Sequence, residues 1–372
     1  MDIQTLSLTN FRNYVDLNFI PSNGLNILVG MNAQGKSAVL EAIYFLATSK
    51  SHRTSRDMDL IHVGVSIARV NAHVDRSERN DVELEIVLSR AENKIVKINT
   101  VKHPKIGDIV GQLNAVIFSN SDIDMVRGEP SLRRRFLNLE ISQVSPQYVY
   151  ALGRYKRVLD QRNNLLREIK SSGVQTGDLG AWDSQLAQYG STIIARRMKF
   201  IDFLAEEAAK IYSSLAGGSE ELAVTYKKSV DIDLHAPESE IAAAFAKLLS
   251  TRRGLDIMRG TTTIGPHRDD LVLTINGLAA REFASQGQQR SAAIALKLAE
   301  INVMQESAGE APVVLLDDVM AELDEARRAR VLEITTGRCQ TFITVTGLEE
   351  IDPSAVAVGS IFDVQSGKVT PR

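Results

Sequence analysis

The chain opens on alternation. Ile3, Leu6 and Leu8 interleave with polar residues, Phe11, Tyr14, Leu17 and Phe19 follow, and Leu25-Asn26-Ile27-Leu28-Val29 is an apolar run ending at a glycine. Period-two patterning followed by a fully apolar run predicts two or three strands of one sheet. Residues 37–47 (SAVLEAIYFLA) predict a helix, and further strands are expected over 67–74, 82–88, 94–101 and 115–118. From 131 to 215 the strand pattern nearly disappears. Tyr148, Leu152, Tyr155, Leu159, Leu166 and Ile169 keep a three/four spacing broken only by Arg162. After Ser171-Ser172-Gly173, the series Trp182, Leu186, Tyr189, Ile193, Phe200 and Leu204 repeats that spacing. Two amphipathic helices joined by a Ser/Gly turn predict an antiparallel hairpin, an arm of roughly 35 Å at 1.5 Å per residue. Strand patterns return at 271–275, 313–316, 341–345 and 361–364. The expected organisation is an α/β domain built from residues 1–120 and 265–372, with a mostly helical segment, 121–264, inserted between its halves.

Composition narrows the class. A chain of 372 residues with 44% hydrophobic and 24% charged residues has the profile of a globular protein of two or three domains, neither disordered nor fibrous. No apolar run reaches the roughly 18 residues a membrane span needs, and Met1 leads straight into a strand pattern rather than a cleavable signal. A single cysteine, Cys339, rules out an internal disulfide framework and a cysteine-built zinc site. The expectation is a cytosolic, water-soluble protein with no membrane partner. The net charge of −3 is unevenly spread: Arg127 to Lys170 carries ten Lys/Arg against four Asp/Glu, a local +6. Such a block suits a phosphate-binding patch, and a solvated helical face would account for it equally well.

Gly30-Met31-Asn32-Ala33-Gln34-Gly35-Lys36-Ser37 matches G-x-x-x-x-G-K-[ST] between an apolar strand and a helix. Glycines let backbone N–H groups of the loop, from Gly30 through Asn32, Ala33, Gln34 and Gly35 to Ala38, close around an anionic phosphate. The helix N-terminus adds its positive end, Lys36 reaches terminal phosphate oxygens, and Ser37 is placed to ligate Mg²⁺. The partner element is Val313-Val314-Leu315-Leu316-Asp317-Asp318. It reads as a strand buried on both faces, with carboxylates at its C-terminal edge, where open α/β sheets bind ligands. Asp317 is expected to hold Mg²⁺ and Asp318 to orient or deprotonate the attacking water. Between the two elements, Ser285-Gln286-Gly287-Gln288-Gln289 precedes a long helix expected from about Gln288 to Met304, with Ser285 as its N-cap. This is a second phosphate-type helix terminus (Ser285, Gly287, Gln288). One nucleotide has one terminal phosphate, so the second terminus is expected to serve a nucleotide bound to another copy of the chain.

A phosphate loop, a distant serine-glycine-glutamine signature, an Asp-ended strand and then Ala321-Glu322-Leu323-Asp324 resemble the ABC-type ATPases. The segments LTNFRNY (Leu8–Tyr14), SKSHRT (Ser49–Thr54), RGEPSLRRRFLN (Arg127–Asn138), GPHRDD (Gly265–Asp270) and SQGQQR (Ser285–Arg290) resemble the RecF family within that superfamily, over a span from Leu8 to about Val345. The resemblance implies an ABC-type P-loop ATPase head with an inserted helical-hairpin arm. It also implies ATP and Mg²⁺ as cofactors, an ATP-dependent head-to-tail homodimer, DNA binding at gaps or junctions, slow ATP hydrolysis, and work with RecO and RecR in loading recombinase during repair and replication restart. Asp318 stands where many ABC-type ATPases carry Glu, a shorter reach consistent with slow turnover. Thr344 or Thr346 stands where a switch histidine is usual, and Asn120 or Asp122 where a glutamine is.

Arg12, just after the first strand, is a candidate for the nucleotide's phosphates; a surface arginine lying over an aromatic is the alternative. Candidate DNA contacts are Lys50, Arg53 and Arg56, with Arg133, Arg134 and Arg135. Helical neighbours lie about 100° apart, so the three adjacent arginines cannot share one face: one or two are expected on phosphate, the remainder paired inside the protein. Backbone contacts of this kind predict sequence-independent, salt-sensitive binding. A single Trp and 5% aromatic residues speak against a stacking platform, so duplex or gap-junction geometry is expected to matter. Two other readings compete: an SMC-like DNA-linking ATPase, for which the arm is short, and a transporter's ATPase subunit, which leaves the basic block without a role.

Overall fold

β1 (Asp2–Phe11) and β2 (Tyr14–Phe19) form a hairpin, and β3 (Leu25–Val29), buried at every position, runs into α1 (Lys36–Thr48). The computed structural model describes the chain except for residues 77–80, 174–177, 232, 234 and 235. β4 (Ile67–Asp75) and β5 (Val82–Ser89) alternate buried and exposed positions, as expected of strands with one covered face. The run expected as one strand over 94–101 is two, β6 (Ile95–Ile98) and β7 (Val101–His103). Asn99 and Thr100 both take positive φ, which reverses the chain in two residues.

After β8 (Ala115–Ser119) come α2 (Asp124–Arg127), α3 (Pro130–Val144), α4 (Pro146–Ser172) and α5 (Leu179–Leu215). The predicted hairpin is α4 and α5, with Gly173 in a left-handed C-cap after α4 and Asp178 capping α5. Both helices outrun the expected lengths: 27 and 37 residues, because the apolar stripe of α5 continues through Ile211 and Tyr212. Arg162, the break in the α4 pattern, is fully buried. It donates to Asp183 at 2.7 Å and to Asp256 and Thr262 at 2.8 Å, so a charge occupies a core position.

β9 (Leu222–Lys227), α6 (Glu238–Arg259), β10 (Asp270–Ile275), β11 (Leu278–Ala279), α7 (Ala280–Phe283) and α8 (Gln286–Ala308) follow. The last elements are β12 (Val313–Asp317), α9 (Glu325–Thr335), β13 (Thr341–Val345), α10 (Pro353–Val358), β14 (Ser360–Gln365) and β15 (Lys368–Pro371).

Three sheets result among the described residues. One has the order β2-β1-β4-β5-β6-β7, a second β15-β14-β3-β13-β12-β8, and a third β11-β10-β9. The N-terminal strands therefore divide between two sheets: β1 and β2 pair with β4, while β3 pairs in parallel with β13 and β14. Strand 271–275 does not join the α/β sheet as expected. It pairs antiparallel with β11 and with β9, whose alternation of Leu222, Val224 and Tyr226 lies inside the segment expected to be mostly helical, and the α/β sheet edge is occupied by β8. This β9–β10 pairing crosses the boundary expected between residues 264 and 265.

Helix α1 lies between the first two sheets, with nearly every residue buried. One core collects its side chains with Leu6, Leu8, Val70, Ile86, Ile117, Leu315 and Phe342. The other face of the parallel sheet, including Ile27, Val116 and Leu316, packs on α8 and the long helices. The loops after β3 and β12 thus emerge at the same, carboxyl edge of one rigid sheet.

Candidate functional site

The loop from Gly30 to Ser37 follows β3 and ends in the first turn of α1. Both of its glycines are demanded by space, and Gly35 by conformation as well. A Cβ on Gly30 would lie 2.3 Å from the Val364 carbonyl oxygen; one on Gly35, at φ 120°, would lie 2.7 Å from Asn13 Nδ2 and 2.8 Å from the Tyr14 hydroxyl. The loop is braced from two sides. Asn13 Nδ2 donates to the Gln34 carbonyl (3.0 Å), and the Ser366 N–H donates to Gln34 Oε1 (2.7 Å) from the β14–β15 turn. Lys36 is buried, with Nζ donating to the carbonyls of Gly30 (2.6 Å) and Met31 (3.3 Å).

A cavity of about 700 Å³ opens against this loop. Its walls include Asn32, Ala33, Gly35, Lys36, Ser37, Ala38 and Asp318 of the expected set, together with Arg12 and Arg53. Gly30 and Gln34 shape the loop from behind. Lys36, Ser37 and the N-terminus of α1 give the cavity an anion-binding floor.

Asp317 ends β12, one strand away from β3 in the sheet. Burial pushes its carboxyl up, but contact with His52 (Nε2 3.5 Å from Oδ2) and Ser37, and the Arg53 guanidinium nearby, more than offset this. Asp317 is therefore held below the usual carboxylate range. Ser37 and Asp317 thus form a one-hydroxyl, one-carboxylate donor pair. That fits a Mg²⁺ completing its octahedron with phosphate oxygens and water. Among the described residues no cluster of three His, Cys, Asp or Glu forms a protein-only metal cage. Asp318 goes the other way: burial first, and the Asp317 carboxylate beside it second, raise its pKa. Two adjacent carboxyls with opposed shifts suit one for a cation and the other for a proton.

Asp318 also sits at φ 53°, a left-handed position that a non-glycine residue holds only when its surroundings enforce it. Thr344, fully buried on β13, supplies the restraint. Its Oγ1 accepts from the Asp318 N–H at 2.8 Å and lies 3.1 Å from Asp318 Oδ1 and 3.3 Å from Asp317 Oδ1. Thr346 instead engages Glu350. Of the two threonines, Thr344 is the one in contact with the carboxylates.

Arg12 is at the cavity wall but already engaged. It makes a bidentate pair with Glu41 (2.7 and 2.8 Å) and donates to the Asp59 carbonyl at 2.9 Å, from a backbone at φ 53°. Glu41 is fully buried and also accepts from Ser51 Oγ at 2.5 Å, with Arg53 Nη1 3.8 Å away. Glu41, a carboxylate within an apolar helix, carries no sequence motif, and Ser51 lies inside the SKSHRT segment without any role of its own being legible there.

Ser285 caps α8 as expected, in a reciprocal capping box with Gln288, and the helix is longer at both ends than the expected Gln288–Met304. Ser285, Gly287 and Gln288 are absent from the walls of the phosphate-loop cavity, and Gln288 Nε2 instead donates to Glu220 (2.8 Å). Within a single chain the Ser285 helix terminus is therefore separate from the phosphate-loop cavity.

The basic candidates divide. Arg133 is corrected as a DNA contact: it is buried, bidentate to Asp270 at 2.8 and 2.9 Å, and donates to the Gly128 carbonyl, so no face is left for a phosphate. It is the inward-paired member of the triplet. Arg53 belongs to the phosphate-loop cavity, apart from Lys50. Lys50, Arg134 and Arg135 meet in a second cavity beside α3 and α4, where Arg134 donates to the Asp269 carbonyl and Arg135 to that of Ser51. Arg56 is exposed nearby in sequence, after Ser55 of the same cavity wall. Lys156, Lys227, Lys228 and Arg268 join this basic region without having been singled out, because they come from three distant segments of the chain.

The parallel sheet, braced phosphate loop, paired aspartates and capped signature helix define an ABC-type ATPase head. The family model described as RecF/RecN/SMC N terminal domain matches residues 2–369. The DNA replication and repair protein RecF of Bacillus cytotoxicus is 38% identical over 369 residues, covering 99% of this chain and 98% of that protein. The solved structure of the recombination mediator protein RecF-ATP in the RecFOR pathway superposes with a TM-score of 0.89 at 33% identity, covering 100% of this chain and 99% of that one. The Smc head domain of Pyrococcus furiosus shares the fold at 16% identity and a TM-score of 0.57. The chain belongs to the RecF family.

Proposed function

We propose that this chain is an ATP-switched DNA-binding protein of recombinational repair and replication restart. In this reading residues 1–120 and 265–372 form the ATPase head and 121–264 the helical arm, the two stitched by β9–β10. ATP lies against Lys36 and the backbone N–H groups of the loop, with Ser37 and Asp317 as the protein ligands of Mg²⁺. The bound ion supplies charge neutralisation at the phosphate oxygens. Asp318, its proton affinity raised and its backbone pinned by Thr344, orients the attacking water and accepts its proton. A short carboxylate in this role suits slow hydrolysis.

The observation carrying the reading is the separation of two phosphate-type surfaces within one chain: the cavity at Lys36 and the capped terminus at Ser285 do not share walls. A head-to-tail homodimer resolves this by placing the partner's Ser285 on the terminal phosphate. DNA is held through its backbone by Lys50, Arg56, Arg134 and Arg135, independently of sequence. RecO and RecR are its partners in a cytoplasmic setting, as the family resemblance and the RecFOR pathway of the solved relative support. No described helix is long and apolar enough to cross a membrane.

Sedimentation and DNA retention measured side by side with ATP, ADP and no nucleotide test the switch. Dimer and DNA retention are expected with ATP alone, because a ligand that bridges two chains drives association by mass action. A dimer of equal stability without nucleotide refutes it.

A further inference from the structure

The second cavity, of about 700 Å³, has a composition unlike the first. Its interior is largely apolar, with Val110, Leu139, Val149, Leu152, Leu159 and Ile193 beside a few hydroxyl and amide groups, and besides Arg197 four cations border it: Lys50, Arg134, Arg135 and Lys156. No Asp or Glu is among its described lining residues. His267, Tyr155 and Arg197, which also line it, are engaged by neighbouring groups. His267 Nε2 donates to the Thr262 carbonyl (3.2 Å), which leaves Nδ1 to accept from the Tyr155 hydroxyl at 2.7 Å. Arg197 is taken up by Tyr148, Asn138 and the Pro266 carbonyl. Burial lowers the His267 pKa to about 4, so the imidazole is neutral near pH 7 and adds no charge to the floor.

A largely apolar interior bordered by cations, with no carboxylate in its described lining, is complementary to a ligand with a flat apolar part and an anionic part. A second depression adjoins it, sharing Ser131 and Arg134 and adding Lys227, Lys228 and Arg268. The carboxylates there are already engaged, Asp270 by Arg133 and Glu129 by Arg281. The positive charge therefore continues outward as a track for further phosphates.

We infer that this cavity is a subsite for one unpaired nucleotide of a DNA strand, with the base on the apolar floor, its phosphate among Lys50, Arg134, Arg135 and Lys156, and the adjoining phosphates on Lys227, Lys228 and Arg268. Its volume suits a single nucleotide-sized ligand. A paired duplex keeps its bases stacked inside and can offer only backbone to the rim. This inference rests on the DNA reading above and specifies what that surface distinguishes: a strand with an unpaired nucleotide from a continuous duplex.

The test compares a gapped duplex carrying 2-aminopurine as its first unpaired nucleotide, an intact duplex of equal length, and free 2-aminopurine deoxynucleoside monophosphate, all with ATP present. Wild type is expected to hold the gapped DNA about tenfold tighter than the intact duplex, the order expected for burying one base's apolar surface, with a change in 2-aminopurine emission that saturates at the same midpoint. Leu152→Trp, which fills the floor, should abolish both the emission change and the preference while intact-duplex affinity stays within about twofold. Lys156→Glu alters only an exposed rim side chain and guards against a misfolded tryptophan variant; it should weaken gapped DNA more than duplex. Equal affinity for the two DNAs with a silent probe, or an equal loss on both in Lys156→Glu, overturns the subsite. So does saturable binding of the free nucleotide, sensitive to Leu152→Trp, while the strand probe stays silent. Failure to retain any DNA at low salt sinks the underlying DNA reading instead, and the subsite with it.

Discussion

Replacing Thr344 with valine isolates the restraint on Asp318. The two side chains are nearly isosteric, so packing on β13 is preserved and only the hydroxyl is lost. That hydroxyl has one proton: it accepts from the Asp318 N–H at 2.8 Å and donates to its nearest acceptor, Asp318 Oδ1, at 3.1 Å. Its loss leaves a part-buried N–H unpaired at a residue already held at φ 53°, a cost of about 1–3 kcal/mol for a buried unsatisfied donor. If that energy is what holds Asp318 in its reactive position, hydrolysis should slow by roughly 5- to 150-fold. Nucleotide affinity should be nearly unchanged, because Thr344 is not a wall of the phosphate-loop cavity. Single-turnover hydrolysis with prebound ATP, alongside equilibrium binding of a fluorescent ATP analogue, separates the two effects. Thr344→Ser restores the hydroxyl and should recover most of the rate. Valine turning over as fast as threonine would refute the reasoning, as would serine and valine being equally slow.

Other perturbations address the remaining links. Ser285→Arg should leave ATP binding by the monomer intact and abolish ATP-induced dimerisation in sedimentation, because it puts a bulky side chain where the partner's phosphate belongs; normal dimerisation would remove Ser285 from the shared site. His267 is buried with its pKa lowered from 6.5 to about 4, chiefly by desolvation. The unfolded chain therefore binds more protons between those values, and stability should fall as pH drops from 6.5 towards 4, by at most about 3 kcal/mol. His267→Gln should flatten that part of a denaturation-versus-pH profile, and an unchanged slope would show that other groups carry it. Arg162→Met leaves Asp183 and Asp256 buried with one cation fewer, and should cost about 3–5 kcal/mol. Asp183 keeps Arg253 as partner at 2.7 Å, so Arg162→Met/Asp256→Leu should recover part of the loss in thermal denaturation.

Features set by neighbours along the chain were legible before any fold was known. The loop from Gly30 to Ser37, the apolar strand ending in Asp317, the Ser285 cap and the helical hairpin are each local patterns whose chemistry follows from spacing alone. The sorting of the Arg133–Arg135 triplet into one inward and two outward members also follows from helical geometry, but which arginine turns inward depended on Asp270, 137 residues away. Tertiary structure alone decided the rest. It split the N-terminal strands between two sheets, gave β10 a partner in β9, and moved Arg53 to the nucleotide cavity. It also aimed Thr344 rather than Thr346 at the aspartates and gathered Lys50, Lys156, Lys227 and Arg268 into one basic region. The physical reason is the same in each case. Periodicity and capping are short-range and act within a helix or strand, whereas strand partners, buried ion pairs and the floor of a cavity are settled by desolvation and hydrogen bonding between segments that meet only once the chain has folded.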